Sequence, residues 1–282
     1  MIEIRNQKVQ VKINPYGAEL TELSMVDGKN VLWKKDEQFW NRVAPNLFPI
    51  VGRLKNDQFR YEGKPYSMSQ HGFARNRTFE LIEKTDIKVV LRLKSDEISK
   101  KEYPFDFIFD IEYQLIESEL LVKYCIDNRG EVKLPYSVGG HPGFAIEGKI
   151  TDYYLDFGQS FCAKQWLLDG PYYSGETVDL TIDSKLPLDY SLVEKDAIVI
   201  RTPPFNRVIL GHKDRGGVVA LSYDQLDAIG FWSKKNAPFF CIEPWWGWAD
   251  RIDSTGNLLE KEGLHFLNPE ELKEHSYRIE LL

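Results

Sequence analysis

Apolar residues recur at every second position over much of this 282-residue chain. In the clearest run, residues 105–115, apolar side chains alternate with mostly polar ones. Glu117-Ser118-Glu119 interrupts the pattern, and residues 120–126 then repeat it. Side chains at every second position share one face of a strand but are scattered around a helix. The pattern therefore predicts a long antiparallel hairpin with one face against a core.

Shorter runs with the same two-residue period predict further strands along the rest of the chain. They lie at residues 9–13, 79–82, 89–93, 197–200, 208–210, 218–221 and 239–242, with a closing strand at 277–282. Turn dipeptides such as Asp27-Gly28 separate many of these runs.

Helical signals are few in this sequence. One short helical turn is predicted at residues 268–271, where an asparagine cap precedes a proline and two glutamates. Many strands with almost no helix are typical of two packed antiparallel sheets. The sequence therefore predicts an all-β fold, a large antiparallel β-sandwich formed by a single domain over residues 1–282. A chain of two all-β domains is the alternative.

Composition narrows the classes of partner. Lys and Arg number 36, whereas Asp and Glu number 43, which gives a formal net charge of −7. A chain with this charge and no basic tract binds nucleic acid or an anionic membrane poorly, so we expect neither as a partner. Aromatic residues make up 13% of the chain, which suits a β-rich core, a sugar-binding cleft or both.

Cysteine usage and hydropathy indicate where the protein works. Cys125, Cys162 and Cys241 are odd in number and far apart, so they predict neither a disulfide framework nor a zinc ribbon. No stretch approaches the ~18 consecutive apolar residues of a membrane helix. The first residues also lack the apolar core of a signal peptide. We therefore expect a reduced, cytoplasmic protein.

Four segments interrupt the strand pattern with residues that a plain β-sandwich does not need. Their sequences are Pro-Asn-Leu-Phe-Pro-Ile-Val-Gly-Arg (residues 45–53), Gln-His-Gly-Phe-Ala-Arg (70–75), Gly-Gly-His-Pro-Gly-Phe (139–144) and Ile-Glu-Pro-Trp-Trp-Gly (242–247). They contain histidine, arginine and glutamate, which are side chains that transfer protons and bind polar ligands.

Glu243 gives the sharpest chemical signal among them. It follows an apolar run and precedes Pro244, so we expect a partly buried carboxylate with a raised pKa; a surface glutamate at a fraying strand end is the alternative. The glycines around His141 permit close approach of a ligand, although a structural turn histidine would look the same. His71 precedes Gly72 and has the same two interpretations.

The other histidines and the tryptophan cluster carry weaker signals. His212, His265 and His275 lie in loop or terminal contexts and are predicted to be solvated. The three tryptophans at positions 245, 246 and 248 either stack on a sugar or belong to the core, and the sequence favours neither interpretation.

The sequence predicts no metal site and no cofactor. It contains neither His-x-His nor His-x-x-x-His, and its cysteines form no pair. It also lacks Gly-x-Ser-x-Gly, a phosphate loop and Gly-x-Gly-x-x-Gly. Histidine, glutamate and arginine without a cofactor are typical of proton transfer on a neutral polar substrate.

Together and in this order, the four segments resemble those of the aldose 1-epimerase (galactose mutarotase-like) family, particularly its LacX-like branch. They span residues 45–247, which is most of the chain. The resemblance implies a single large β-sandwich and an isomerase that acts on a small-molecule sugar without a cofactor or metal. The implied reaction is interconversion of the α and β anomers of an aldohexose.

The resemblance also implies roles for particular residues. Glu243 would be the general base that takes the proton from the anomeric hydroxyl. His141 would be the general acid that protonates the ring oxygen. Arg53 and His71 would hold the sugar in the region of that oxygen.

Further substrate contacts are implied with less definition. Asp196, or alternatively Asp189, would contact the sugar hydroxyls. Trp245 is also a candidate substrate-binding residue, with stacking on the sugar as one of its two interpretations. Arg75, together with Arg77, could grip a phosphate group, since guanidinium matches phosphate geometry. The enzyme would then act on hexose 6-phosphates, as in a related branch of the family; alternatively, Arg75 closes its turn by pairing with a carboxylate.

A third possibility keeps the fold and removes the reaction. The protein would then be a non-catalytic carbohydrate-binding protein, since fold does not imply function. A binder needs no matched acid and base, so the presence of both Glu243 and His141 favours the enzyme. The sequence indicates neither the preferred sugar nor the oligomeric state.

Overall fold

The structure is a computed structural model that describes residues 1–194 and 196–282. Strands dominate it and are numbered in chain order. They are β1 (Ile2–Arg5), β2 (Val9–Asn14), β3 (Glu19–Met25), β4 (Asn46–Leu47), β5 (Gln58–Tyr61), β6 (Lys64–Ser67), β7 (Glu80–Lys84), β8 (Lys88–Lys94), β9 (Phe107–Ile116), β10 (Glu119–Asn128), β11 (Leu134–Tyr136), β12 (Val138–Gly140), β13 (Gly143–Ala145), β14 (Tyr153–Asp156), β15 (Phe161–Asp169), β16 (Tyr172–Ile182), β17 (Lys185–Pro187), β18 (Ile198–Arg201), β19 (Arg207–His212), β20 (Gly216–Tyr223), β21 (Ala228–Trp232), β22 (Phe239–Trp246), β23 (His265–Leu267) and β24 (Leu272–Leu281).

Helices are short and few among the described residues. One α-helical turn, α1, covers Ser99–Glu102. The remaining helices are 3-10 turns at Lys55–Asp57, Ala74–Asn76, Ile150–Asp152, Tyr190–Val193 and Leu258–Glu260. None of the described helices is long and apolar enough to cross a membrane.

The predicted hairpin is confirmed as β9 and β10. Their antiparallel register pairs Leu115 with Leu120 and Phe109 with Ile126. The residues of β9 alternate between buried and partly exposed, because only one face of the strand meets the core. Glu117 lies between the strands with φ +54°, in the left-handed region that a tight turn requires.

Two large antiparallel sheets form the body of the molecule, as the sequence predicts. One has nine strands in the order β17-β14-β19-β20-β24-β10-β9-β8-β7. The other has the order β16-β15-β18-β21-β22-β12-β4, with β13 as an eighth strand paired to β22. Large apolar side chains fill the main core, which includes Phe107, Phe109 and Tyr124. Smaller sheets, β1-β2-β3, β5-β6 and β11-β23, accompany these two.

Two local predictions are wrong. Residues 268–271 form no helix, because Glu270 turns left-handed with φ +63° and the Glu271 carboxylate binds back to the Asn268 backbone N–H at 2.8 Å. The other error concerns His275, predicted to be solvated. It is buried on β24, where its Nε2 lies 2.8 Å from the Tyr136 hydroxyl.

Strand β22 is buried on both faces, and its two faces meet different surroundings. Phe240, Ile242 and Trp246 belong to the main core between the sheets. The intervening residues point to the outer face, where two smaller apolar clusters lie. Trp245 belongs to one cluster and Cys241 to the other, and Glu243 stands between them in the strand. This outer face is where the candidate site lies.

Candidate active site

A cavity of about 290 Å³ opens on the outer face of the eight-stranded sheet. That volume is at the small end of the range of ~300–1,000 Å³ that ligand pockets occupy. Several elements contribute to its wall, and each of the four segments that the sequence singles out supplies at least one lining residue. Its lining consists of Trp40, Gly52, Gln70, His71, Arg75, His141, Leu168, Pro171, Tyr173, Asp196, Ala197, Val199, Trp232, Glu243, Trp245 and Ala249.

His141 enters the cavity directly after β12. Its backbone N–H donates to the Pro45 carbonyl at 3.1 Å, which ties the turn to the first segment. The imidazole packs against Trp40, with ring centroids 4.9 Å apart, and meets Trp232 edge-on at 5.6 Å. Two tryptophans therefore fix the plane of the ring and remove water from around it. Only 8% of His141 is exposed.

Glu243 reaches the cavity floor from the middle of β22 rather than from its end. Its partner across the strand pair is Gly230 of β21. A side chain at Gly230 would meet the Trp245 indole, because a Cβ built there lies 2.6 Å from Cη2. The glycine thus makes room for Trp245 beside the carboxyl group. Glu243 is only 1% exposed, so the expectation of a buried carboxylate is confirmed.

His141 and Glu243 meet although about a hundred residues separate them in the chain. His141 Nε2 lies 3.0 Å from Glu243 Oε2. The contact lacks the alignment of a hydrogen bond, and neither Oε2 nor His141 Nδ1 finds a hydrogen-bond partner among the described residues. Buried polar atoms are normally paired, so two free atoms in one cavity indicate a place for a polar ligand.

Burial opposes charge on both members of this pair. Desolvation, reinforced by the nearby Asp196 carboxylate, raises the pKa of Glu243 well above its ordinary value. Desolvation, reinforced by the positive charge of Arg75, lowers the pKa of His141 to about 3. Both shifts favour the uncharged forms, so burial favours a pair in which Glu243 is protonated and His141 is neutral.

His71 is oriented by the backbone of Gly52. Its own N–H donates to the Gly52 carbonyl at 2.7 Å, and its Nδ1 accepts the Gly52 N–H at 3.1 Å. A backbone N–H can only donate, so Nδ1 carries no proton and Nε2 carries it. Burial, together with the charge of Arg75, keeps the pKa of His71 well below its ordinary value. His71 therefore offers the cavity a neutral N–H donor.

The loop that holds His71 has an unusual backbone. His71 and Gly72 both have positive φ, +65° and +71°. A Cβ at Gly72 would lie 2.2 Å from the Phe48 carbonyl oxygen, so only glycine fits there. The backbone around Gly72 therefore packs directly against that of Phe48 in the first segment. This contact places Gly52 beside the His71 imidazole.

The two arginines implied for substrate binding have different surroundings. The Arg53 guanidinium is outside the cavity lining and binds Asp57, with Nε 2.7 Å from Oδ1. Arg75 lines the cavity, donates to the Gln70 carbonyl at 2.5 Å and has a buried Nε with no partner in the described chain. Desolvation lowers the pKa of Arg75 to about 10, which still leaves it cationic. The structure therefore places Arg75, and not Arg53, beside the acid–base pair.

Arg75 does not close its turn on a carboxylate, which was one interpretation of the sequence. The nearby Glu19 carboxylate lies 3.6 Å from Arg42 and accepts the backbone N–H groups of Val43 and Ala44. Arg77, the second candidate for gripping a phosphate, binds Glu102 at 2.6 Å. Only one of the two arginines thus faces the cavity.

Asp196 lines the cavity, whereas Asp189 does not. Asp196 is half-buried, has φ +138° and accepts the N–H of Ala197 at 2.7 Å. Desolvation raises its pKa. Asp189 instead caps the short helix Tyr190–Val193 by accepting the Ser191 N–H at 2.8 Å.

The three tryptophans near the end of β22 have three different environments. Trp245 lines the cavity, and its buried Nε1 has no hydrogen-bond partner among the described residues. Trp246 faces the main core and donates to the Gln225 carbonyl at 2.9 Å. Trp248 stacks on the Arg201 guanidinium, 3.7 Å from its ring centroid. The alternation of a strand separates the first two.

Several lining residues carry no sequence signal of their own. Trp40 and Trp232 flank His141, and Tyr173 comes from β16 at the sheet edge. None lies in a glycine-rich segment, and the tryptophans look like core residues. Gln70 is the exception, because it directly precedes His71 in the second segment.

Comparisons with known proteins show the family to which the chain belongs. The profile of the aldose 1-epimerase family matches residues 1–265. Protein LacX (chromosomal) of Lactococcus lactis subsp. lactis is 31% identical over 300 residues, covering 100% of this chain and 99% of LacX.

Two solved structures are close in shape. A galactose mutarotase related enzyme from Lactobacillus acidophilus has a TM-score of 0.96 at 31% identity, over 100% of this chain and 97% of that one. A galactose mutarotase-like protein from Lactobacillus casei has a TM-score of 0.95 at 28% identity, over all of both chains.

The fold is therefore the galactose mutarotase-like β-sandwich that the four segments imply. The chain belongs to the aldose 1-epimerase family. It is an enzyme of the isomerase class, a sugar epimerase or mutarotase. The binding-only alternative is thereby set aside.

Proposed function

We propose that the protein is a mutarotase that interconverts the α and β anomers of an aldohexose, with Glu243 as general base and His141 as general acid. The observation that carries the proposal is the 3.0 Å approach of His141 Nε2 to Glu243 Oε2 on the cavity floor. A hemiacetal needs one proton removed from its C1 hydroxyl and one delivered to its ring oxygen. One acid and one base, side by side, match that requirement.

A pair that shares one proton can open and close the ring without exchanging protons with water. In the starting form, Glu243 is a carboxylate and His141 an imidazolium. Glu243 takes the C1 hydroxyl proton while His141 protonates the ring oxygen, which opens the ring to the aldehyde. Afterwards Glu243 holds the proton and His141 is neutral.

That second form is the one that burial favours, since burial disfavours charge on either group. The C1–C2 bond then rotates and the ring closes with the roles exchanged. Glutamic acid returns its proton and neutral histidine accepts one. The total proton count of the pair stays at one throughout, so each turnover restores the site.

The remaining lining residues would orient the sugar. His71 presents its Nε2–H as a fixed donor, and Arg75 adds a positive charge near the ring oxygen. Asp196 can accept hydrogen bonds from sugar hydroxyls. The Trp245 indole offers an apolar wall and an unpaired N–H. In this proposal Arg75 takes the binding role that the resemblance implies for Arg53.

A hexose 6-phosphate is a second candidate substrate, and the observation in its favour is Arg75. Its guanidinium lies half-buried at the cavity with a free Nε, where a phosphate oxygen could bind. Arg77 is held by Glu102, so a phosphate would meet a single arginine here. Rates on glucose, galactose and glucose 6-phosphate separate the two candidates, since only the second predicts a strong preference for the phosphorylated sugar that Arg75→Ala abolishes.

Polarimetry of freshly dissolved α-D-glucose and α-D-galactose tests the proposed roles. Glu243→Gln and His141→Asn should each lower kcat by about 10²–10⁴, because each removes one positioned proton-transfer group. Circular dichroism and the cooperativity of unfolding serve as controls for the fold. Near-native rates in either folded variant would overturn the assignment of that residue.

A further inference from the structure

Cys241 lies beside the acid–base pair without belonging to the cavity lining. It precedes Glu243 by two residues on β22, so both side chains leave the strand on the same face. Its thiol is fully buried against the cluster that contains Trp33 and Phe239. One ligand atom each from His141, Cys241 and Glu243 lie within 4.8 Å of one another.

We propose that His141, Cys241 and Glu243 form a binding site for a thiophilic divalent cation of the Zn²⁺ type, and that the bound cation inhibits the enzyme. A thiolate, an imidazole and a carboxylate are the three kinds of side chain that bind Zn²⁺ in proteins. Sequence spacing predicts no such site, because Cys241 and Glu243 lie on β22 whereas His141 lies in the turn after β12, about a hundred residues earlier in the chain. Metal binding stands whether or not the proposed catalytic roles are right, whereas inhibition rests on the proposed function.

The distances suit a tetrahedral ion after a small adjustment. Zn–N and Zn–O bonds of about 2.0–2.2 Å and a Zn–S bond of about 2.3 Å place neighbouring ligand atoms roughly 3.3–3.8 Å apart. The pair His141–Glu243 is already at 3.0 Å, so only the approach of the thiol requires rotation of side chains. Three protein ligands leave a fourth position for water or a sugar hydroxyl.

The ligand atoms are not engaged elsewhere. Glu243 Oε2 is buried and has no hydrogen-bond partner among the described residues, and His141 Nε2, which lies 3.0 Å from it, approaches it without the alignment of a hydrogen bond. Both atoms belong to residues that are more than nine-tenths buried. A cation would therefore displace no existing hydrogen bond from either atom, whereas a satisfied site would have to give one up.

The proton balance of binding leaves the site neutral. The Cys241 thiol loses its proton to become a thiolate, and the His141–Glu243 pair loses the one proton it shares. Two protons leave as one dication enters, so the metal with its thiolate, neutral imidazole and carboxylate has no net charge. A neutral assembly suits a buried position, where an uncompensated charge is costly.

Charged groups of opposite sign lie near the three ligand residues and have opposite effects on cation binding. Arg75, on the short helix Ala74–Asn76, places a positive charge near His141, which weakens cation binding. Asp196, before β18, places a negative charge near Glu243, which strengthens it. His71 is neutral, and burial keeps Tyr173 of β16 protonated. Because binding releases protons, apparent affinity should rise with pH.

Direct binding can be measured without any activity assay. Co²⁺ serves as the probe, since a thiolate ligand gives it an intense near-ultraviolet charge-transfer band. In the double variant Cys125→Ser/Cys162→Ser, Cys241 is the sole thiol. We expect the band to form in this variant at one equivalent of Co²⁺ and to disappear on competition with Zn²⁺. Absence of the band in the folded double variant would overturn the proposal.

Inhibition supplies the second test. Zn²⁺ should slow mutarotation of α-D-glucose by the wild-type protein in competition with the sugar, and a chelator should restore the rate. Cys241→Ala, compared with its own metal-free rate, should require at least about 100-fold more Zn²⁺ for half inhibition. Cys125→Ser and Cys162→Ser are the matched controls and should behave like wild type. Equal Zn²⁺ sensitivity of Cys241→Ala and wild type would contradict the assignment of the thiol.

Discussion

Two buried acid–base pairs in this molecule differ in how completely their atoms are bonded. Asp250 accepts the Lys55 N–H at 2.9 Å through Oδ2, and its Oδ1 lies 3.3 Å from Lys261 Nζ. Lys261 Nζ also donates to the Trp248 carbonyl at 2.6 Å. Every charged atom of this pair has a protein partner. At the cavity, in contrast, Glu243 Oε2 has only the 3.0 Å approach of His141 Nε2 and no hydrogen-bond partner among the described residues.

The difference separates a structural pair from one held open for a ligand. Burying ionised groups costs free energy that geometry and hydrogen bonds must offset. The Asp250–Lys261 pair meets that requirement inside the protein. The His141–Glu243 pair meets it only by giving up charge, and its free atoms are satisfied when a polar molecule enters. Burial alone therefore does not mark a site, whereas burial with unpaired atoms does.

Breaking the satisfied pair should have the largest effect on stability. Asp250→Asn leaves the Lys261 ammonium buried without a carboxylate, and we expect the free energy of unfolding to fall by about 3–5 kcal/mol. Urea denaturation at pH 7 measures it. The mutarotation rate of the folded fraction should change little, because Asp250 is outside the cavity lining. A loss below about 1 kcal/mol would remove the contrast between the two pairs.

Glu243→Gln should act in the opposite direction on stability. Because the folded pKa of Glu243 is raised, its carboxyl group disfavours folding at pH values above its unfolded value of 4.5. Glutamine cannot ionise, so Glu243→Gln should raise the free energy of unfolding at pH 7 by an amount on the order of 1 kcal/mol.

This stability gain should depend on pH in a defined way. Lowering the pH towards 4.5 protonates the unfolded carboxyl group as well, so the gap between Glu243→Gln and wild type should shrink. Thermal unfolding of both proteins at pH 7 and pH 5 checks the sign. If Glu243→Gln is instead less stable than wild type at pH 7, the folded protein stabilises the ionised Glu243 carboxylate, and the raised pKa is wrong.

The two arginines extend the same comparison to substrate binding. Arg53 is satisfied by Asp57, whereas Arg75 has a free Nε at the cavity. Arg75→Gln should raise KM by about tenfold, the magnitude of one charged hydrogen bond. Arg53→Gln, the matched control, should change KM by less than about twofold. Initial rates over a range of sugar concentrations give KM for both variants. A larger rise in KM for Arg53→Gln than for Arg75→Gln would instead support the substrate-binding role implied for Arg53.

The smallest expected effect is a flat pH profile. A pair that holds one proton on either partner keeps the same proton count until a second proton binds or the last one leaves. The pKa of His141 is lowered to about 3, so the second proton binds only in acid, and the raised pKa of Glu243 moves the loss of the last proton to higher pH. Between pH 5.5 and 7.5, kcat/KM should vary by less than about twofold. A step centred near 6.5 would instead indicate an independently titrating histidine.

Much of the architecture can be predicted from the sequence because strand patterning is local. The alternation over residues 105–126 predicts the β9–β10 hairpin and its buried face, and both are confirmed. The failure at residues 268–271 has a local cause too. Asn268 is a residue type that often caps a helix, but here its backbone N–H and its side-chain amide both donate to the Glu271 carboxylate. These bonds close a turn and not a helix.

Individual side chains were harder to place than segments. The second segment indicates His71 and Arg75 as site residues, and both line the cavity. The sequence of the first segment, in contrast, does not show that the Arg53 guanidinium binds Asp57 instead of lining the cavity. Trp40 and Trp232 flank His141 without a motif, because a tryptophan beside a ligand has the same sequence context as one in a core. His275 was misplaced for a related reason, since its burial depends on Tyr136 of a distant strand.

The sequence by itself determined the strand periods, the absence of a familiar cofactor motif and the four segments in which polar chemistry interrupts apolar strands. Only the tertiary structure decided which of those side chains share a cavity, that His141 and Glu243 approach to 3.0 Å, and that Cys241 stands beside them. The physical reason is one of range. Strand pattern follows from neighbours two residues apart, whereas desolvation and pairing of charges depend on groups that the sheets bring together from distant parts of the chain.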